Sequence, residues 1–134
     1  MFISVKDLNY SMYPEVMDAI SRNDYNYIDY AIEKTCSIIE AHLCNYYDVN
    51  DLFNKPIEER NPMLVDIACN IARYIIADVL NDMPVSIASG YERSMKELEK
   101  LMAGKTTIPG AKPAKNENGE IINFVKSGYI PRTY

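Results

Sequence analysis

Tryptophan is absent from this chain of 134 residues, histidine occurs once and cysteine three times. Each shortage removes a class of chemistry. With His42 as the sole histidine, a Ser-His-Asp or Cys-His arrangement would have to be built around a mid-helix residue on an apolar stripe. Cys36, Cys44 and Cys69 cannot all pair within one chain, and each lies in an apolar-periodic segment where a small buried thiol is the ordinary occupant. A reducing compartment is therefore expected. Eight residues separate Cys36 from Cys44, about two helical turns, too far for both to grip one zinc ion from one helix. Neither Cys-x-x-Cys nor His-x-x-x-His occurs, so no metal or other cofactor is expected. No apolar run approaches the roughly 18 residues of a membrane span. The opening "MFISVKDLNY" carries Asp7 and no apolar core, so it does not read as a signal peptide.

Positive charge is scarce overall, with a net charge of −5, and it is unevenly placed. Residues 1–104 sum to −8, whereas residues 105–134 sum to +3. An acidic body excludes a dedicated nucleic-acid binder, whose footprint is a basic face. A basic tail on an acidic body suits docking onto something acidic, a second copy included. Eleven tyrosines are the most unusual presence. Tyr25, Tyr27 and Tyr30 cluster at one helix start and Tyr46-Tyr47 at its end, positions that suit wet core edges or subunit interfaces.

Periodicity divides the rest. Phe2 to Val5 reads as a short strand or extended lead, and Pro14 with Val16, Met17 and Ile20 as a short helix. Asp24 is the N-cap candidate for a first long helix, with Ile28, Ala31, Ile32, Thr35, Ile39, His42, Leu43 and Tyr46 on its inner face. A loop with Pro56 and Pro62 follows, in which Leu52, Phe53 and Ile57 are apolar anchors that pack down or face a partner. Asn61 and Pro62 then open a second long helix that is apolar on most of its circumference, from Leu64 to Leu80, as befits the central helix of a bundle. Arg73 shares that helix with Asp66 and Asp78, and an ion pair with Asp66 is expected to set its register. The third long helix carries an inner stripe of Ile87, Tyr91, Met95, Leu98 and Leu101 or Met102, with Glu92 and Lys96 as an outer i,i+4 pair.

"LMAGKTTIPG" contains a Gly-Lys-Thr, but Glu99 stands where a phosphate-binding loop needs its first glycine. The helix precedes the motif, so Gly104 reads as a helix stop and Lys105 as a cation at a helix C-terminus. Beyond it, an extended arm is expected, with a small β-hairpin about Asn118-Gly119 as one option. Its apolar and basic residues need a surface, on this chain or a neighbour. The fold class is thus all-α: a bundle of three long helices plus short N-terminal helices over residues 1–104, and a C-terminal arm over 105–134.

The segments "IDYAIEKTCSIIEAHLCNYYDV", "NPMLVDIACNIARYIIADVL" and "YERSMKELEKLMAGK" together resemble the small head–tail adaptor (connector, or joining) proteins of tailed phages and Mu-like prophages. The resemblance spans residues 2 to about 108 and rests on packing motifs rather than catalytic ones. It implies a non-enzymatic virion protein, assembled in the bacterial cytoplasm as a ring, typically a dodecamer, below the portal protein. Such a ring extends the DNA channel without binding DNA specifically, touches no membrane, and offers a platform to the tail or the next ring. The candidate contact residues in the arm are Lys112, Lys115, Ile122, Phe124, Val125, Lys126, Tyr129, Ile130, Pro131, Arg132 and Tyr134. In the loop they are Leu52, Phe53 and Ile57. The competing expectation is a small helical regulatory module whose tail folds on one protein partner.

Overall fold

The computed structural model describes residues 2–9 and 25–121. These form five α-helices: α1 (Val5–Asn9), α2 (Tyr25–Leu43), α3 (Val49–Phe53), α4 (Pro62–Val79) and α5 (Val85–Ala103). A single 3-10 turn, Ile57–Glu59, lies between α3 and α4. Among the described residues the only β pairing is two isolated antiparallel bridges. The all-α expectation holds. The short helix expected about Pro14 and the cap expected at Asp24 lie outside the described residues.

The central helix is α4. Asn61 Oδ1 accepts a hydrogen bond from Leu64 N at 3.0 Å, and Pro62 occupies the first turn, where its missing N–H costs nothing. Leu64, Ile67, Ala68, Cys69, Ile71, Ala72, Ile76 and Ala77 are all buried. They turn through more than one face, so α4 packs against both α2 and α5. Asn81 ends the run at φ 56°, with Asn81 N donating to Asp78 O and Asp82 N to Ala77 O, both at 3.1 Å. This is the Schellman arrangement, with asparagine in the usual glycine position.

On α2, Ile28, Ala31, Ile32, Thr35, Ile39 and Leu43 are buried at the expected three- and four-residue steps. Thr35 Oγ1 meets its burial by donating to Ala31 O at 2.7 Å. His42 stays at the edge, where its Nδ1 donates to Ile38 O at 2.8 Å. The inner face of α5 differs from its expected stripe. Ile87, Leu98 and Leu101 are buried as expected, but so are Gly90 and Ser94, while Tyr91 and Met95 sit at the edge. The reason is a polar contact: Asn70 Nδ2 on α4 donates to Ser94 Oγ at 2.9 Å. A Cβ on Gly90 would approach Asn70 Oδ1 to 3.2 Å. Small residues at 90 and 94 therefore let α5 close onto α4.

Two expected pairings do not form. Arg73 makes no ion pair with Asp66; its Nη1 donates to Asn70 Oδ1 at 2.8 Å, and desolvation holds its pKa below the ordinary arginine value. Asp66 is exposed instead. Glu92 and Lys96 do not pair, whereas Lys100 reaches Glu97 at 3.4 Å. At the other end of the chain, Phe2 and Ile3 form a buried lead rather than a strand, and Asp7 reaches back over the start of α1, its Oδ2 accepting from Ser4 N at 2.8 Å.

That lead is clamped from a distance. Arg60 grips the Asp7 carboxylate with two N–H groups, at 3.0 and 3.1 Å, and its Nη1 also donates to Phe2 O at 3.0 Å. The Phe2 ring stacks on Phe53 with centroids 5.0 Å apart. The Arg60 hydrogen bonds hold the Asp7 carboxyl below its ordinary value of 3.8, against partial desolvation. A depressed carboxylate contributes stability above its unfolded pKa and loses that contribution as pH falls through the folded value. Asp7→Asn should therefore cost about 1–3 kcal/mol at neutral pH. The gap from wild type should close progressively below about pH 4. Urea titrations at pH 7 and in acid would show this; an equal gap at both would rule out the charge as the cause.

Candidate interaction surface

The chain does not leave the bundle at Gly104. Gly104 closes α5 at φ 71°, with its N–H on Leu101 O at 3.1 Å and Lys105 N on Lys100 O at 2.8 Å. The next ten residues then turn back over the corner between α2 and α3. Ile108 is buried in the core cluster, and its N–H donates to the Tyr47 hydroxyl at 3.2 Å. Asp48 N donates to Lys112 O at 2.9 Å and Ala114 N to Tyr46 O at 3.0 Å, which makes the antiparallel bridge between Tyr47 and Pro113. Lys112 Nζ lies 3.4 Å from Asp51 Oδ1, and Lys55 approaches the other oxygen of the same carboxylate at 3.6 Å. The surface that this part of the tail needs is on its own body, and the acidic partner of Lys112 is Asp51.

Tyr47 is the hub of this strap. Its ring is buried, and desolvation pushes the phenol above its ordinary value of 10, so it stays neutral and keeps its hydroxyl oxygen turned to Ile108. Past Ala114 the chain emerges. Asn116 nucleates a tight turn: its Oδ1 accepts from Asn118 N and Glu120 N, both at 2.9 Å, and Gly119 supplies φ 81°. Lys115 and Ile121 form a single antiparallel bridge across it. The hairpin suggested by Asn118-Gly119 is thus one bridge long, and it stands in solvent.

Of the arm candidates, Lys112 is tied to Asp51 and Lys115 is exposed at the foot of the turn. Ile122, Phe124, Val125, Lys126, Tyr129, Ile130, Pro131, Arg132 and Tyr134 lie outside the described residues. The loop candidates separate. Leu52 is part of the core and Phe53 packs on Phe2, so both serve this chain's own interior. Ile57 is 76% exposed on the 3-10 turn, the one loop anchor left facing solvent.

A second surface was not foreseen. Between α4 and α5 runs an open cleft of about 340 Å³ with Met63 and Ile67 on its apolar side and Arg93, Lys96 and Lys100 along α5. The buried Asn70–Ser94 contact forms part of its wall. Gly90 and Ser94, small residues four apart on a helix, were the sequence signal for this close α4–α5 approach. At the far end of the bundle Tyr27, Tyr30, Val79 and Val85 are exposed, with the Lys34 ammonium 5.8 Å from the Tyr30 ring centroid.

The nucleophilic candidates have structural surroundings. Burial pushes Cys69 up to about 11 and raises Cys36 as well, so neither is a ready thiolate. His42 is committed to a carbonyl of its own helix. Among the described residues no three His, Cys, Asp or Glu side chains converge as a metal site would require. No helix among them is long and apolar enough to cross a membrane.

A family model described as Bacteriophage Mu, Gp36 matches residues 4–124, and the chain belongs to that family. It is a Mu-like phage protein. No curated protein and no solved structure matches it.

Tyr47→Phe should leave the buried Ile108 N–H unpaired and cost about 1 kcal/mol. It should also speed tryptic cleavage after Lys105 relative to sites within α5. Unchanged cleavage would mean that the strap is held by the backbone bridge alone.

Proposed function

From membership of this phage family, we propose that the chain is a structural, non-enzymatic virion component: a head–tail adaptor that assembles as a ring below the portal protein, extends the DNA channel and joins head to tail. The match over residues 4–124 carries the reading, because it takes in the whole bundle and the strap. The architecture supports it in two ways. The core is one continuous packed cluster running from Phe2 to Ile108, a rigid block suited to repetition. The strap fixes where the C-terminal segment begins, so residues 122–134, rich in apolar and basic side chains, start from a defined corner beside Lys115. That segment is the proposed contact with the portal, the tail or the next ring.

In this role DNA passes through the channel without specific contacts, which suits a body of net negative charge. The number of copies proposed is twelve, as the resemblance implies.

Mixing the purified chain with portal rings and imaging by electron microscopy should reveal an added annular layer of density. A chain that stays monomeric with portal present would overturn the adaptor reading. A defined one-to-one complex with a single protein would instead favour a regulatory module.

A further inference from the structure

A ring of identical chains needs two different surfaces per copy, each complementary to the other, because every contact is heterologous. The described residues carry such a pair. On the outer side of α2, Asp29, Glu33 and Glu40 are exposed and follow one line along the helix, at steps of four and seven residues. On α5, Arg93, Lys96 and Lys100 are exposed at steps of three and four and rim the cleft against α4. The chain as a whole is acidic, so three cations on one line are a local reversal.

Neither stripe is neutralised at home. Among the described residues, Asp29, Glu33, Glu40, Arg93 and Lys96 form no ion pair, and Lys100 reaches Glu97 only across an exposed 3.4 Å contact. The cleft itself holds two carboxylates, Asp66 and Glu97, against the three cations, and Glu92 and Glu99 stand outside it. It therefore keeps a surplus of positive charge above an apolar strip of Met63 and Ile67.

The spacings also match. Glu33 and Glu40 are seven residues apart, as are Arg93 and Lys100, so each pair spans about 10 Å of helix. Helix direction settles the register. The Tyr47 hydroxyl, just past the end of α2, binds Ile108 N, just past the end of α5, so the two helices finish at the same end of the bundle. The antiparallel α4 lies against both. For a ring whose axis lies along the bundle, rotation preserves helix direction, so α2 of one copy meets α5 of the next in parallel. Glu33 then comes level with Arg93, and Glu40 with Lys100.

We infer that the Asp29–Glu33–Glu40 face of α2 docks into the Arg93–Lys96–Lys100 cleft of a second copy of this chain, and that this contact propagates the ring. The inference rests on the ring reading above and names its interface. Electrostatic matching of this kind fixes partner and register and weakens with salt.

The test uses two full-length variants, Glu33→Lys with Glu40→Lys, and Arg93→Glu with Lys100→Glu. All four positions are exposed, and circular dichroism checks that the fold is kept. Self-association is read by sedimentation velocity and native mass spectrometry at low salt, with and without portal. Each variant alone should assemble on the order of ten-fold less well than wild type. Mixed together, they should assemble again, because the reversed α2 of one meets the reversed α5 of the other; a single chain carrying all four changes should also recover. If wild type forms no oligomer under any of these conditions, the ring reading fails and takes this interface with it. If wild type assembles and both variants do so equally, or the mixture shows no recovery, the ring stands and this interface is wrong.

Discussion

Everything in this small protein is arranged around the need of α4 to be covered on more than one side. A helix with Leu64, Ile67, Cys69, Ile71 and Ile76 all buried cannot be satisfied by one neighbour. Burying a side chain of that size stabilises the fold by roughly 1.5–3 kcal/mol, so exposing either flank would remove a large part of a typical domain's stability. Hence α2 lies on one flank and α5 on another, and the shorter pieces close what these leave open. Phe2 and Ile3 are drawn in beside Arg60, Leu52 fills beneath α3, and Ile108 seals the end where α2 and α5 finish.

Polar groups decide how closely the cover fits. On the α5 flank Asn70 ties together Ser94 and Arg73, and a Cβ at position 90 of the facing helix would crowd its Oδ1 at 3.2 Å. Arg73 has a neutral amide rather than a carboxylate as its hydrogen-bond acceptor, and desolvation by burial leaves its charged form less favoured than usual. On the N-terminal side the opposite solution appears, a two-pronged Arg60–Asp7 pair that remains close to solvent. Two-pronged geometry is what lifts such a pair above an ordinary surface contact.

Much of this was legible from residue order because it depends on local chemistry. Asn61-Pro62 as a helix start, Asn81 and Gly104 as helix ends, and the buried faces of α2 and α4 follow from caps and from the 3.6-residue period. What escaped depends on which of several candidate partners a side chain takes, and often on one far away in sequence. Asp66 sits seven residues from Arg73, yet Asn70 lies between them on the same face and takes the bond. Leu52 lies in the core, and Phe53 finds its stacking partner in Phe2, 51 residues earlier. No spacing rule foretells that Tyr47 will pair with Ile108, since three helices separate the hydroxyl from the amide along the chain.

The strap changes how the charge imbalance along the chain should be understood. Read from composition, residues 105–134 form one basic tail. In the folded protein the tail divides at Ala114. The part before it is spent on the body: Ile108 in the core, Lys112 on Asp51, and the backbone paired with Tyr46 and Asp48. Only the part from Lys115 onward remains for anything else, and it starts from a turn held by Asn116 rather than from a loose helix end. A chain pinned at Tyr47 and turned at Asn116 leaves the body at a fixed point rather than at Gly104. The Gly104 stop and the Tyr47 hydroxyl thus act in sequence: the first turns the chain back, the second pins it, and together they set the corner at which Lys115 emerges.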